Sequence, residues 1–204
     1  MPDPNPATTV SRRSFLGSAG VAAGSAVLLR EARAAVAADA DGPPILGPDP
    51  VRLTLTVNGV ARAVTVQPRA TLAEVLREAL DLTGTKIGCD RGACSACTVW
   101  LDGAPIASCM LLAIDVGPRA VTTIEGLAQG DTLHPVQAAF IDHDAMQCGY
   151  CTPGMVMSCA ALLQRNPLPS TAEVQAAIDG HLCRCGSYPH VLEAMQAISQ
   201  AQKA

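Results

Sequence analysis

The chain has 204 residues, enough for one or two small domains, and contains only two Phe, two Tyr and one Trp. The hydrophobic cores must therefore be built from Ala, Val, Leu, Ile and Met. The net charge is −4, and the sequence has no basic patch of the kind that binds nucleic acid or anionic lipid. Neither class of partner is therefore predicted.

The N-terminal segment has the pattern of an export signal. Paired Arg12 and Arg13 precede Phe-Leu, a modest apolar stretch and an Ala-x-Ala end at Ala34. These features predict a twin-arginine signal peptide at 1–34, which would carry the folded protein to the periplasm. The apolar stretch is too short and too rich in small residues to predict a stable membrane span. Residues 35–50 are rich in Ala, Pro, Gly and Asp and predict a flexible leader.

The next part of the chain alternates apolar and polar residues in the manner of strands. Asn58-Gly59 predicts a two-residue hairpin turn, and Asp102-Gly103 predicts a second turn. Thr71 and Glu74 have the spacing of a capping box, which predicts a helix from Thr71 to Leu80. The predicted strands are 51–57, 60–66, 98–101, a return through Ile106 to Cys109, and 120–124. This order indicates a β-grasp, ferredoxin-like domain over residues 51–126.

From residue 127 onward the pattern changes to helices. The four predicted helices are 135–143, 153–165, 171–180 and 189–200. Pro135, Pro153 and Pro189 each lie near a helix start, where the missing N–H costs nothing. Residues 127–204 are therefore expected to form a small helical bundle.

Eight of the nine cysteines form two quartets. The quartets are Cys89, Cys94, Cys97 and Cys109, and then Cys148, Cys151, Cys183 and Cys185. The first has the Cys-x4-Cys-x2-Cys spacing of a plant-type [2Fe–2S] loop, followed by a fourth cysteine from a later segment. In the second, a Cys-x-Cys pair is too short to wrap a cluster alone. It must therefore meet the distant Cys-x2-Cys pair, so that two segments fold together around one metal site.

Other interpretations of the quartets are structural zinc and disulfides. Zinc sites usually use two short pairs, whereas the first quartet strings three cysteines on one loop. Disulfides are disfavoured because Cys183 and Cys185, separated by one residue, would each need another partner. An odd number of cysteines, nine, would also leave one of them unpaired. The ninth cysteine, Cys159, is mid-helix and is interpreted as a buried apolar residue. His134, His143, His181 and His190 are dispersed, and a surface or helix-end position is expected for each.

Several runs of sequence together resemble the small, two-cluster iron–sulfur subunit of molybdenum hydroxylases, the xanthine dehydrogenase and aldehyde oxidoreductase family. These runs are 88–99 with the cysteine loop, Thr123-Ile-Glu-Gly-Leu, His134-Pro-Val-Gln-Ala-Ala-Phe, Gln147-Cys-Gly-Tyr-Cys-Thr-Pro-Gly and Cys183-Arg-Cys-Gly. The resemblance covers residues 51–200. With the twin-arginine leader included, it points to iron–sulfur subunits of periplasmic aldehyde dehydrogenases. Ser95 departs from the family loop, which usually has Gly there, and this difference bears on the potential of the first cluster.

The resemblance implies an α+β chain, in which a plant-type ferredoxin-like domain at 51–126 precedes a four-helix-bundle [2Fe–2S] domain at 127–204. It implies a non-catalytic electron-transfer subunit with two [2Fe–2S] clusters. A large partner subunit would hold molybdopterin and oxidise an aldehyde. An N-heterocycle of the isoquinoline or purine type is the alternative substrate.

The resemblance also implies an order of electron transfer. Electrons would pass first to the cluster held by Cys148, Cys151, Cys183 and Cys185, and then to the cluster held by Cys89, Cys94, Cys97 and Cys109. They would leave through FAD on a third subunit or through the haem of a cytochrome. Gln147 matches a residue that reaches the pterin in the partner. Two competing hypotheses remain from the sequence, namely a zinc-stabilised binding module and a free-standing ferredoxin.

Overall fold

The structure is a computed structural model that describes residues 46–202. The predicted signal peptide at 1–34 lies outside the described residues, as does the predicted leader up to residue 45. Residues 46–50 are exposed and belong to no helix or strand. None of the helices within 46–202 is long and apolar enough to cross a membrane.

Five strands form one mixed sheet in the first half of the described chain. They are β1 Val51–Val57, β2 Val60–Val66, β3 Thr98–Leu101, β4 Ala104–Ala107 and β5 Ala120–Thr122. Their order in the sheet is β2-β1-β5-β3-β4, with β1 and β5 parallel and every other neighbouring pair antiparallel. Both predicted hairpins are confirmed, and the residues of both turns have positive φ, as a two-residue turn of this twist requires.

One helix crosses the sheet where the capping box predicts it. Thr71 caps α1, Leu72–Glu74, through reciprocal hydrogen bonds with Glu74. The helix then widens into a π-helical turn at Val75–Ala79, in which the Leu80 N–H donates to the Val75 carbonyl at 3.1 Å. The sequence predicts the start and end of this helix but not its change of winding.

Four helices form the second half. They are α2 Pro135–Asp142, α3 Thr152–Arg165, α4 Thr171–Ile178 and α5 Tyr188–Ala201. Proline lies in the first turn of α2, α3 and α5, as predicted. Helix α4 ends two residues before the predicted position, because Asp179 caps it and the chain turns toward His181. Helix α3 is the centre of this half, since every residue from 154 to 162 is buried.

Two main hydrophobic clusters form the core, one between the sheet and α1 and one in the helical half that Trp100 of β3 joins. Trp100 on β3 is only 5% exposed and packs with the buried side chains of the helical half. Its Nε1–H donates to the Met157 carbonyl of α3 at 2.9 Å. The predicted α+β architecture is confirmed, and its two parts pack directly on each other.

Candidate iron–sulfur sites

The first cysteine quartet lies on an irregular loop between α1 and β3 and on a turn after β4. Cys89 and Cys94 are half-buried on the loop, whereas Cys97 and Cys109 are buried at 2% and 6% exposure. The sequence predicts that the return strand runs to Cys109, which is wrong. The strand ends at Ala107 because the Ser108 hydroxyl donates to the Cys97 carbonyl at 2.6 Å and begins a short 3-10 turn.

The thiols of the first quartet interact with one another, and the charge of Cys89 also acts on Cys109. The Cys89 thiol interacts with that of Cys94, and the Cys109 thiol interacts with that of Cys97. Backbone amides approach the sulfurs as the glycine-rich loop predicts. The Gly92 N–H donates to Cys109 Sγ at 3.4 Å. A second amide, from Ala93, donates to Cys89 Sγ at 3.2 Å. Such amides stabilise sulfur-centred negative charge.

The thiols of the first quartet differ in acidity. A hydrogen bond from the Arg91 backbone lowers the pKa of Cys89 to about 7. Burial, reinforced by the neighbouring Cys97 thiol, raises the pKa of Cys109 to about 11. Because a metal binds the thiolate, iron at this loop would meet one readily ionised sulfur and would have to displace the proton of a buried one.

The second quartet lies at the starts of two helices. Cys151 is buried at the residue that directly precedes α3, and Cys148 is exposed three residues before it. Cys183 and Cys185 are half-buried on the connection between α4 and α5. The thiols of Cys151 and Cys183 interact, and Cys148 lies close enough to raise the pKa of Cys151 by its charge. No hydrogen bond within residues 46–202 joins the Cys185 thiol to the other three.

The same contrast in acidity appears in the second quartet. Burial raises the pKa of the Cys151 thiol to about 12. Burial opposes ionisation of Cys183, but hydrogen bonds from Ser187, the Cys151 thiol and the Gly186 backbone together outweigh it and lower the pKa of Cys183 to about 7. The Ser187 hydroxyl lies 3.2 Å from Cys183 Sγ.

The thiols of the first quartet fit the needs of a binuclear cluster. A [2Fe–2S] cluster takes its four cysteines two to each iron. Cys89 interacts with Cys94, and Cys97 interacts with Cys109, so each iron could bind one of these pairs. The loop also approaches its sulfurs closely, because a Cβ added at Gly88 would lie 3.1 Å from Cys94 Sγ.

The loop of the first site touches the helical half at residues that adjoin the second site. We call this set of contacts the intersite seam, formed by Ile87–Ser95 on one side and by Tyr150, Gly154 and Leu182 on the other. The Leu182 N–H donates to the Cys94 carbonyl at 3.2 Å. A Cβ added at Gly154 would lie 2.4 Å from the Ser95 carbonyl oxygen, so only glycine allows α3 to approach the loop this closely.

The remaining candidate residues are placed as follows. Gln147 is exposed, directly beside exposed Cys148. Cys159 is fully buried in α3 and packs in the helical core, as predicted. Ser95 has a φ of +55°, the left-handed conformation that the family's usual glycine adopts without strain.

The four histidines lie at helix ends or in a helix, and none joins a cysteine quartet. Of these, His134 caps α2 by accepting the Val136 N–H at Nδ1, and His143 caps the other end of that helix. His190 is exposed in the first turn of α5. His181 follows α4 but is only 3% exposed, and its Nε2 lies 2.8 Å from the Ser158 hydroxyl. Burial lowers the pKa of His181 to about 4, so this imidazole is neutral at pH 7.

Sequence reasoning did not single out three hydroxyl-bearing residues that support the sites. They are Tyr150, Ser187 and Tyr188. The Tyr188 hydroxyl accepts the Cys183 N–H and donates to the His181 carbonyl, both at 2.8 Å. The available signal was their position inside or just after the Cys-x2-Cys and Cys-x-Cys motifs.

Two stretches of the chain match families of iron–sulfur domains. Residues 55–116 match the 2Fe-2S iron-sulfur cluster binding domain, and residues 123–196 match the [2Fe-2S] binding domain. Each stretch contains one cysteine quartet. The chain therefore has two [2Fe–2S]-binding domains, which favours iron–sulfur clusters over structural zinc or disulfides.

Curated relatives decide the family. The nicotine 6-hydroxylase small subunit of Paenarthrobacter nicotinovorans is 46% identical over 147 residues, which cover 72% of this chain and 88% of that protein. The aldehyde oxidoreductase iron-sulfur-binding subunit of Escherichia coli (strain K12) is 39% identical over 203 residues, covering 92% of this chain and 87% of that protein. The chain belongs to the small iron–sulfur subunits of the molybdenum hydroxylases.

Solved structures agree with this assignment. The small subunit matches a chain of quinoline 2-oxidoreductase from Pseudomonas putida 86 with a TM-score of 0.72 and 43% identity, covering 76% of this chain and 97% of that chain. It matches the aldehyde oxidoreductase from Desulfovibrio desulfuricans ATCC 27774 with a TM-score of 0.70 and 42% identity, but it spans only 17% of that longer chain.

The small subunit is therefore an electron-transfer component of a multi-subunit molybdenum hydroxylase, with two [2Fe–2S]-binding domains. The hypotheses of a zinc-stabilised module and of a free-standing ferredoxin are set aside.

Proposed function

We propose that this small subunit serves a molybdenum-dependent aldehyde oxidoreductase. The support is the extent of the match with the Escherichia coli aldehyde oxidoreductase subunit. That alignment covers 92% of the chain, more than residues 46–204 alone could supply, so it extends into the N-terminal segment. The match with the nicotine 6-hydroxylase small subunit covers 72%.

The second candidate function is the hydroxylation of an N-heterocycle. It is favoured by sequence identity, which reaches 46% with the nicotine 6-hydroxylase small subunit and 43% with the quinoline 2-oxidoreductase chain. Because the substrate binds on the large subunit, assays of the complete enzyme with an aromatic aldehyde, nicotine and quinoline separate the two functions. Faster turnover of the aldehyde supports our proposal, and faster turnover of either heterocycle contradicts it.

We assign the ligands of the two clusters to the two quartets. The first cluster would be held by Cys89, Cys94, Cys97 and Cys109, and the second by Cys148, Cys151, Cys183 and Cys185. When bound, each cluster supplies a carrier for one electron. The observation that carries the assignment is the interaction between thiols of the same quartet, together with the amides that donate to sulfur in the first.

We propose that the second site faces the molybdopterin of the large subunit and that the first site faces the acceptor. Cys148 and Gln147 are both exposed at the second site, where a partner's pterin could reach them. The first site would deliver electrons to FAD on a third subunit or to the haem of a cytochrome. The order of electron passage then runs opposite to the order of the sites along the chain.

Cysteine substitutions in the complete enzyme test the ligand assignment. The reduced wild type should show two distinct [2Fe–2S] signals in electron paramagnetic resonance (EPR). Cys109→Ser should abolish or alter one signal and Cys183→Ser the other. Cys159→Ala is the matched control, since it removes a buried thiol outside both quartets and should leave both signals unchanged. Loss of a signal in the control, or a single signal in the wild type, contradicts the assignment.

We further propose that the enzyme is exported through the twin-arginine pathway to the periplasm. The support is the sequence pattern of the N-terminal segment and the extension of the Escherichia coli match into it. A route that carries folded proteins suits a chain whose metal centres must be assembled in the cytoplasm.

A further inference from the structure

Tyr150 links the two candidate cluster sites through its side chain. It lies between Cys148 and Cys151 of the second quartet, yet its hydroxyl donates to the carbonyl of Ile87 at 2.5 Å, across 63 positions of sequence. Its side chain is 49% exposed, so burial in a hydrophobic core does not explain its position. Its polar contact within residues 46–202 goes to the loop of the first site.

The ring of Tyr150 also packs on the loop that it hydrogen bonds. A Cβ added at Gly88 would lie 3.7 Å from Cε1 of Tyr150 and 3.1 Å from Cys94 Sγ. Gly88 therefore has both the tyrosine ring and a sulfur of the first site close to it. Ile87 and Gly88 lie within two residues of Cys89, so a displacement of either one also displaces a candidate ligand.

The loop of the first site is held at both of its ends. Tyr150 binds it at Ile87, and the Leu182 N–H binds it at the Cys94 carbonyl. Each of these holding residues directly adjoins a cysteine of the second quartet, Cys151 in one case and Cys183 in the other. Each of the two segments that carry the second quartet thus forms a hydrogen bond with one end of the first loop.

We propose that Tyr150 is a positioning residue that holds the first cluster loop against the second site and so maintains fast electron passage between the two clusters. This inference rests on the ligand sets proposed above. The rate of electron transfer falls exponentially with the distance between the two clusters. A displacement of the loop away from the helical half would lengthen that distance and slow the transfer. The same movement would disturb the amides of Gly92 and Ala93 that donate to sulfur, and hence the potential of the first cluster.

Two substitutions in the complete enzyme separate the contributions of the side chain. Tyr150→Phe keeps the ring on Gly88 and removes the hydrogen bond to Ile87, whereas Tyr150→Leu removes both. Amide hydrogen exchange of residues 88–93 should accelerate roughly two- to tenfold in Tyr150→Phe, the change in a local opening equilibrium that loss of one hydrogen bond produces. Tyr150→Leu should exchange faster still.

Two further measurements report on the clusters themselves. In the doubly reduced wild type, magnetic coupling should split the EPR signals, and this splitting should weaken in both variants. In stopped-flow reduction by substrate, the first cluster should be reduced more slowly than in the wild type, while the second is reduced at the wild-type rate. A tyrosine that only stabilised the fold would leave the splitting and the relative rates unchanged in the assembled enzyme.

Tyr188→Phe is the contrasting variant. Its hydroxyl also binds backbone groups beside a cysteine, but both partners, Cys183 and His181, lie in the helical half. It should perturb the signal of the second cluster and leave the amide exchange of residues 88–93 at the wild-type rate. Accelerated exchange there in Tyr188→Phe would overturn the assignment of this role to Tyr150.

The proposal would also be overturned if Tyr150→Phe had the wild-type amide exchange rate at residues 88–93 and the wild-type splitting of the EPR signals. If Tyr150→Leu fails to assemble, Tyr150→Phe alone provides the test. Failure of the proposed ligand sets has a different signature, because the wild type itself would then lack two cluster signals.

Discussion

Ser95 holds a backbone conformation that usually belongs to glycine. Its φ of +55° costs a residue with a Cβ about 1–2 kcal/mol. The conformation persists because the Ser95 carbonyl accepts hydrogen bonds from both the amide and the hydroxyl of Thr98, at 3.2 Å and 2.7 Å. The loop of the first site is therefore strained at a position between two candidate ligands.

Replacing Ser95 by glycine should stabilise the protein. We expect Ser95→Gly to gain about 1 kcal/mol by relieving the left-handed strain, which raises the midpoint of thermal unfolding by about 2–4 °C. Ser95→Ala is the control, because it loses the same hydroxyl but keeps a Cβ and so keeps the strain. Equal midpoints for the two variants would show that the hydroxyl, and not the backbone, determines stability here.

His134 ties the stability of α2 to pH. Burial holds the pKa of His134 below its ordinary value of 6.5, and its Nδ1 must be unprotonated to accept the Val136 N–H. A lowered folded-state pKa means that the unfolded chain takes up the proton first as the pH falls. The contribution of His134 is thus complete above pH 6.5 and declines below it.

A variant that caps without titrating tests this dependence. His134→Asn supplies a good N-cap acceptor at every pH. Between about pH 7.5 and 5.5, the wild type should lose more thermal stability than His134→Asn does, as followed by circular dichroism. Parallel pH profiles for the two proteins would rule out His134 as the source of the difference.

At the scale of elements, β3 and α3 form the joint between sheet and helices. Trp100 contributes both a large buried ring and the hydrogen bond to the Met157 carbonyl. Trp100→Phe should destabilise the protein by about 1–3 kcal/mol, because it leaves a small cavity in the core and removes a buried hydrogen bond. Denaturant unfolding measures this loss. Val60→Thr, at a half-exposed site on β2, is the control and should change stability by less than about 0.5 kcal/mol.

Local sequence signals predicted most of these elements. Asn58-Gly59 and the Thr71 capping box act within four residues, so their hairpin and helix start could be derived without knowledge of the rest of the chain. The π-helical turn at Val75–Ala79 could not, because no local sequence signal marks a change from i+4 to i+5 hydrogen bonds. The turn at Ser108 was missed for a similar reason, since it depends on a hydroxyl that reaches Cys97 eleven residues away.

The same distinction applies to the candidate sites. Spacing alone indicated both cysteine quartets, because each motif lies on a short run of sequence. The intersite seam was not predicted, since Tyr150 and Ile87 meet only after the sheet and the helices have packed. Parallel pairing of β1 with β5 is equally non-local and depends on the complete sheet.

At the scale of the whole molecule, the export proposal makes a prediction about the partners. Replacing Arg12 and Arg13 together by Lys should leave the assembled enzyme in the cytoplasm, because a large subunit without its own signal would cross only when bound to this chain. Activity assays of periplasmic and cytoplasmic fractions measure the distribution. Arg30→Lys, outside the twin pair, is the matched control and should not alter export. Partner activity in the periplasm despite the double substitution would reject this carrier role.

The fully buried thiol of Cys159 can report transient unfolding of the helical half. Burial raises the pKa of its thiol to about 12, which makes it unreactive while α3 stays packed. Under the proposed assignment iron binds the other eight thiols, so an alkylating reagent would find a single unoccupied sulfur, and only when the helical core becomes exposed. The labelling rate of this one residue would therefore measure how often the electron-carrying form of the subunit unfolds.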